Sequence, residues 1–155
     1  MIDSLDSINF NFKGSFANVF KKPALIQPFL TKRSNKFDEI IKKEFLRRKL
    51  ETDFAIVALG GYGRKELFPS SDIDLSIIQF NAKTKKIEDI KDFIGWLWTL
   101  KVKVGHSVRT IKDIENITKS DLKEFTSYLS YRIIFCKKDK IVSLNDDLKK
   151  VSKKW

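Results

Sequence analysis

Apolar residues recur along this chain at two different periods, and the change from one to the other outlines alternating helices and strands. From Phe37 the positions Phe37, Ile40, Ile41, Phe45 and Leu50 repeat at helical spacing with basic residues between them, which predicts an amphipathic helix to about Leu50. The run Phe54-Ala55-Ile56-Val57-Ala58-Leu59 is short, rich in strand formers and closed by Gly60-Gly61, so it reads as a buried strand ending in a tight turn. After an irregular loop through Pro69, the segment Ile73 to Phe80 alternates, with Asp72, Asp74, Ser76 and Ile78 on one face and Ile73, Leu75 and Ile77 on the other. Thr84 is placed to cap a helix over 85–100 whose stripe is Ile87, Ile90, Ile94, Leu97 and Trp98. A third strand is expected over 102–108, and a helix or turn around Ile111, Ile114 and Ile117. Ser120 then opens a longer helix that turns Leu122, Phe125, Leu129, Ile133 and Cys136 inward, and a basic last helix carries Leu144, Leu148 and Val151. Residues 1–35 show no clean period and contain Pro23 and Pro28, so they read as an irregular lead-in with at most short helical pieces.

Composition narrows the class. At 155 residues the chain is the size of one ordinary domain. A hydrophobic fraction of 42% excludes a disordered chain, because it supplies the apolar surface needed to offset the entropy of ordering. Met1 to Phe12 has no basic start followed by an apolar run, and no stretch approaches the roughly 20 apolar residues that span a bilayer. A cytoplasmic protein without a membrane partner is expected. The single cysteine, Cys136, has no internal disulfide partner and reads as a small core residue. The net charge of +11 attracts anions without choosing among nucleic acid, lipid and nucleoside triphosphate. Its lysines cluster at 83–86, 137–140 and 149–154, beside apolar periodic segments rather than among exposed aromatics. They read as a solvated face, and nucleic acid is not the expected partner.

Chemistry concentrates in Gly60-Gly61-Tyr62-Gly63-Arg64-Lys65-Glu66-Leu67-Phe68-Pro69-Ser70-Ser71-Asp72-Ile73-Asp74-Leu75. Gly60 and Gly61 lack a Cβ, so their backbone amides can approach phosphate oxygens. Asp72 and Asp74, two apart on a strand, share one face and repel each other unless a cation relieves them. Mg²⁺ favours such oxygen ligands together with substrate phosphates. Ser71 and Arg64 are placed to add donors to those phosphates. A Gly-Gly turn or an Asp-X-Asp pair alone is commonplace; strand, Gly-Gly, loop and Asp-Ile-Asp in this order select the metal reading.

That order resembles the signature of the DNA polymerase beta-type nucleotidyltransferase superfamily. The longer wording GGYGRKELFPSSDIDL, LWTLKVKVGHSVRT (97–110) and SDLKEFTSYLSYR (120–132) resembles the N-terminal transferase domain of bacterial protein-PII uridylyltransferases over about residues 35–138. Glutamine synthetase adenylyltransferases share the Gly-rich turn and Ser-Asp-Ile-Asp-Leu, but GHSVRT favours the uridylyltransferases. The resemblance implies an α/β (α+β) nucleotidyltransferase fold, a small mixed sheet flanked by helices with further helices at the C-terminus. The domain would occupy 36–140, between the 1–35 lead-in and a basic C-terminal helix over 141–155. It also implies Mg²⁺ or Mn²⁺ as cofactor, UTP as donor, and a tyrosine of the PII signalling protein as acceptor, with Asp72 and Asp74 binding metal and Gly60 and Gly61 holding the triphosphate.

Two departures qualify the expectation. Uridylyltransferases carry Glu before Val-Gly-His-Ser-Val-Arg-Thr as a third carboxylate, and this chain has Lys103 there. A Lys repels the ion that such an acid would hold, so a catalytically inactive nucleotide-binding or regulatory module is the alternative to an active transferase. The family's hydrolase and glutamine-sensing regions have no counterpart in these residues. His106, the one histidine, alternates away from Lys103, Ser107 and Arg109 and reads as structural; Arg109 is the better candidate for a phosphate contact. A basic nucleic-acid-binding protein remains the third reading, on charge alone.

Overall fold

A computed structural model describes residues 18–153. Its sheet has four strands in the order β3-β2-β1-β4: β1 at Phe54–Ala58, β2 at Ile73–Gln79, β3 at Val104–Arg109 and β4 at Arg132–Phe135. β1 runs antiparallel to both β2 and β4, and β2 runs parallel to β3, so the sheet is mixed. The helices are α1 (Ile26–Arg47), α2 (Gly60–Gly63), α3 (Ile87–Leu97), α4 (Ile111–Ile117), α5 (Leu122–Tyr128) and α6 (Ile141–Ser152).

Why β1 is apolar at every position follows from its neighbours. Phe54, Ile56 and Ala58 pack with Phe37, Ile41 and Phe45 of α1 and with Ile90, Phe93 and Leu97 of α3. Ala55 and Val57 point the other way, into a second cluster with Ile114 of α4, Tyr128 of α5 and Leu144, Leu148 and Val151 of α6. A strand covered on both faces has no place for a solvated side chain. β2 splits the same way: Ile73, Leu75 and Ile77 join the first cluster, and Ile78 the second. Ser76 is buried on the second face, where its hydroxyl lies 2.8 Å from the Tyr128 hydroxyl and so is satisfied. Cys136 is a buried member of the second cluster.

Three elements differ from the sequence pattern. Helix α1 begins at Ile26, within the expected irregular lead-in, after a 3-10 turn at Pro23–Leu25. Pro28 sits in its first turn, where no amide is needed, and is therefore compatible with the helix. The buried stripe Leu30, Arg33, Ser34, Phe37, Ile41, Glu44 and Phe45 keeps helical spacing, but its polar members hide it from a hydrophobicity count. Residues 1–17 of that lead-in lie outside the described residues. The expected long helix from Ser120 ends at Tyr128, and Ile133 belongs to a strand. Asp121, not Ser120, caps α5, accepting the amides of Lys123 at 2.9 Å and Glu124 at 3.1 Å. Leu122 and Leu129, expected inward, are exposed. The β-branched run Ile133-Ile134 satisfies the free edge of β1 instead, a tertiary demand that outweighs a fortuitous helical period. Finally, Thr84 does not cap a helix starting at 85: α3 starts at Ile87, and Thr84 Oγ1 accepts the Lys86 amide at 3.1 Å while donating to Asp53.

Helix α2 is packed against the segment leading into β4. A Cβ built on Gly63 would lie 1.8 Å from the Ser130 carbonyl oxygen and 3.0 Å from that of Ala58, both backbone atoms. Gly63→Ala is expected to lower stability by at least about 2–3 kcal/mol, read as a reduced urea midpoint at unchanged slope; a midpoint like that of the parent would contradict the packing described.

Candidate active site

β1 ends where its chain must turn sharply beside β2. The Leu59 amide donates to the Asp74 carbonyl at 3.0 Å, continuing the β1–β2 ladder by one position. Gly60 then adopts φ +56°, a left-handed conformation that favours glycine, and α2 follows at once. The turn is closed by the amides of Gly63 onto the Leu59 carbonyl (2.9 Å) and of Glu66 onto that of Gly61 (2.8 Å). In a helical turn the leading amides have no intrahelical acceptor, which leaves those at the start of α2 as donors.

Asp74 lies against this turn. A Cβ on Gly60 would stand 3.9 Å from one Asp74 carboxylate oxygen. On the other side the parallel register pairs Asp74 with Gly105, and a Cβ there would stand 2.7 Å from the second oxygen. The carboxylate is thus cradled between a glycine of the turn after β1 and a glycine of β3, and Gly105 is the residue that leaves room for it. Asp72 precedes β2, its carboxylate 3.4 Å from the Lys103 ammonium. Partial burial and then the neighbouring Asp72 push the Asp74 carboxyl above the ordinary range, opposed by Lys103 and Lys123. Both aspartates are exposed at the start of β2, an inner strand of the sheet.

The remaining candidates fall around this pair in different ways. Arg64 flanks the turn, with Nε donating to Glu66 at 2.8 Å and Nη1 to the Ser130 hydroxyl at 3.3 Å. Ser71 lies in the loop before Asp72, its amide bonded to the Phe68 carbonyl at 2.9 Å. Arg109 is engaged by Glu124 of α5, at 2.6 Å and 3.5 Å, and interacts with Tyr128 as well, so the structure gives it a bracing partner between β3 and α5. His106 occupies the register position of Leu75, on the face away from Asp74, and its exposed ring lies 5.6 Å from that of Trp98.

A second group was not legible in the sequence. Arg132 of β4 donates to the carbonyls of Gly63 (3.1 Å) and Tyr62 (3.0 Å) and to the carboxylate of Asp38 on α1, while its guanidinium stands over the Tyr62 ring at 5.3 Å. The Tyr62 hydroxyl donates to Asp38 at 2.5 Å. Burial first, and then Asp38, push the Tyr62 hydroxyl well above its ordinary range, which keeps it a donor. Only Gly105 carried a sequence signal: a glycine inside a strand marks a close approach.

Fold and site together define a class. The nucleotidyltransferase domain family matches residues 39–153, and the chain belongs to that family. Among its relatives, the bifunctional uridylyltransferase/uridylyl-removing enzyme of Pseudoalteromonas translucida is 35% identical over 136 residues, covering 86% of this chain and 15% of that protein. The enzyme of the same name from Cupriavidus metallidurans is 35% identical over 120 residues, covering 77% of this chain and 14% of that protein. That of Vibrio parahaemolyticus is 39% identical over 93 residues, 59% of this chain and 11% of that protein. The chain thus spans about 15% of the length of the first of these relatives. Among the described residues no helix is long and apolar enough to cross a membrane.

The strain on Asp74 has a measurable sign. A carboxyl whose folded pKa is raised binds protons more tightly when folded, so its contribution to stability is lost as pH rises through that value. Asp74→Asn, which removes the charge and keeps the shape, is expected to raise the thermal midpoint of the ligand-free protein at pH 7 and to leave it unchanged at pH 3; an equal or lower midpoint at pH 7 would show that the Asp72–Asp74 repulsion is already relieved.

Proposed function

We propose that this domain transfers UMP from UTP to a tyrosine hydroxyl of a PII-type signalling protein in the cytoplasm, using Asp72 and Asp74 to hold Mg²⁺ or Mn²⁺. The observation that carries the proposal is the seating of Asp74 between Gly60 of the turn and Gly105 of β3. A carboxylate placed there, beside a second one and beside donor amides, suits a metal-bound triphosphate. Identity to relatives named for uridylyl transfer supports the choice of UTP.

The residues fit one divalent cation. Among the described residues no three or more His, Cys, Asp or Glu side chains gather as a metal cage, so the two aspartates would leave the remaining positions to phosphate oxygens and water, the arrangement Mg²⁺ favours. When bound, the cation neutralises phosphate charge and makes the α-phosphorus more electrophilic. The chain's own part is to bind and orient. Gly60 and Gly61 offer amides to the triphosphate, Arg64 and Ser71 stand on its flank, and β2 fixes the two carboxylates in one geometry. The tyrosine oxygen forms its bond to the α-phosphorus, the bond from that phosphorus to the α,β-bridging oxygen breaks, pyrophosphate leaves, and the phenolic proton passes to solvent.

Lys103 beside Asp72 favours a second reading, in which the domain binds the metal-bound nucleotide without turning it over. Pyrophosphate release from each of the four nucleoside triphosphates, with and without PII, separates the two. UTP-selective, PII-dependent release that disappears in Asp74→Ala is the expected result; metal-dependent UTP binding with no release would support the inactive module. Binding to nucleic acid that falls steeply with salt and ignores Asp72 and Asp74 would favour a partner chosen by net charge instead.

The glycine opposite Asp74 gives a further check. Gly105→Ala is expected to weaken Mn²⁺-dependent UTP binding about 10–100-fold, the usual range when the support of a metal ligand is disturbed, while the far-UV spectrum is unchanged. Undiminished binding would remove Asp74 from the ligand set.

A further inference from the structure

Lys103 stands at the position where the resemblance implies a third acid. The Ile73 amide donates to the Lys103 carbonyl at 2.9 Å, and the register pairs Ile73 with Val104 and Asp74 with Gly105. Alternation therefore puts Lys103 on the face of Gly105, next to Asp72, as the 3.4 Å contact between ammonium and carboxylate bears out. Lys123 at the start of α5 adds a second positive charge acting on Asp74. The aspartate pair thus has a cation of its own beside Asp72, built into the chain.

We infer that the Lys103 ammonium takes the place of a second divalent cation, so that this chain binds its nucleotide with a single divalent ion. The inference rests on the reading of Asp72 and Asp74 as ligands. In a two-metal site one ion serves the leaving group and the other the attacking oxygen, and each needs carboxylate ligands. Here the position beside Asp72 offers an ammonium instead, which repels an incoming divalent ion while supplying part of its charge. Lysine is suited to the exchange, being a compact point charge on a flexible stem that can follow the oxygen it serves. The side chain is 82% exposed, so replacing it does not threaten the fold.

The test counts bound Mn²⁺ by the loss of the free-ion paramagnetic resonance signal, with a non-hydrolysable α,β-imido analogue of UTP. One Mn²⁺ per bound nucleotide is expected for the parent, two for Lys103→Glu, and one for Lys103→Arg. Two in the parent, or one in Lys103→Glu, would overturn the inference while leaving the ligand role of the aspartates intact. No Mn²⁺-dependent nucleotide binding in the parent would overturn both, and Asp74→Ala, which should bind none, shows which of these failures has occurred.

Discussion

The side chain of Arg132 is the constraint on which the candidate site depends. It reaches from β4 to two carbonyls of the glycine turn and to Asp38 on α1, and Tyr62 closes the circuit by donating to the same aspartate. A turn of Gly60, Gly61 and Gly63 has little stiffness of its own, since glycine gains the left-handed region at an entropic cost. Rigidity is imported from three directions: the helix in front, the strand behind, and the Ser130 carbonyl against Gly63. Both members of the Asp38–Arg132 pair are about four-fifths buried, where losing one partner leaves the other uncompensated.

Electrostatics at the site oppose the global charge. A chain carrying +11 overall places two carboxylates at the start of one inner strand, where partial burial and then Asp72 raise the Asp74 carboxyl. Surrounding positive charge draws an anionic substrate toward the domain. The carboxylate pair is a local exception to that field, and Lys103 lies 3.4 Å from one of its members.

β1 and β2 were legible because burial on both faces leaves an uninterrupted apolar run, as in Phe54–Ala58, or apolar residues at every second position, as at Ile73, Leu75 and Ile77. The aspartate pair was legible for the same reason, since alternation fixes the face of every residue once one is known. What escaped was set by partners far away in sequence. The buried stripe of α1 runs through Arg33 and Ser34, which no hydrophobic count includes. β4 is a strand because β1 has an edge to fill, although its residues also satisfy a helical period. Arg132 and Asp38 look like ordinary surface charges until the fold brings them together.

That pairing has a consequence for the order of assembly. Asp38 and Arg132 are 94 residues apart, so the bond between them closes a loop that takes in most of the chain. During synthesis the amino-terminal residues emerge first. β1, the glycine turn, Asp72 and Asp74 therefore leave the ribosome well before the arginine that locks the turn. The carboxylate pair can be in place while the glycine turn beside it is still loose, and the arrangement is completed only when the last strand of the sheet arrives.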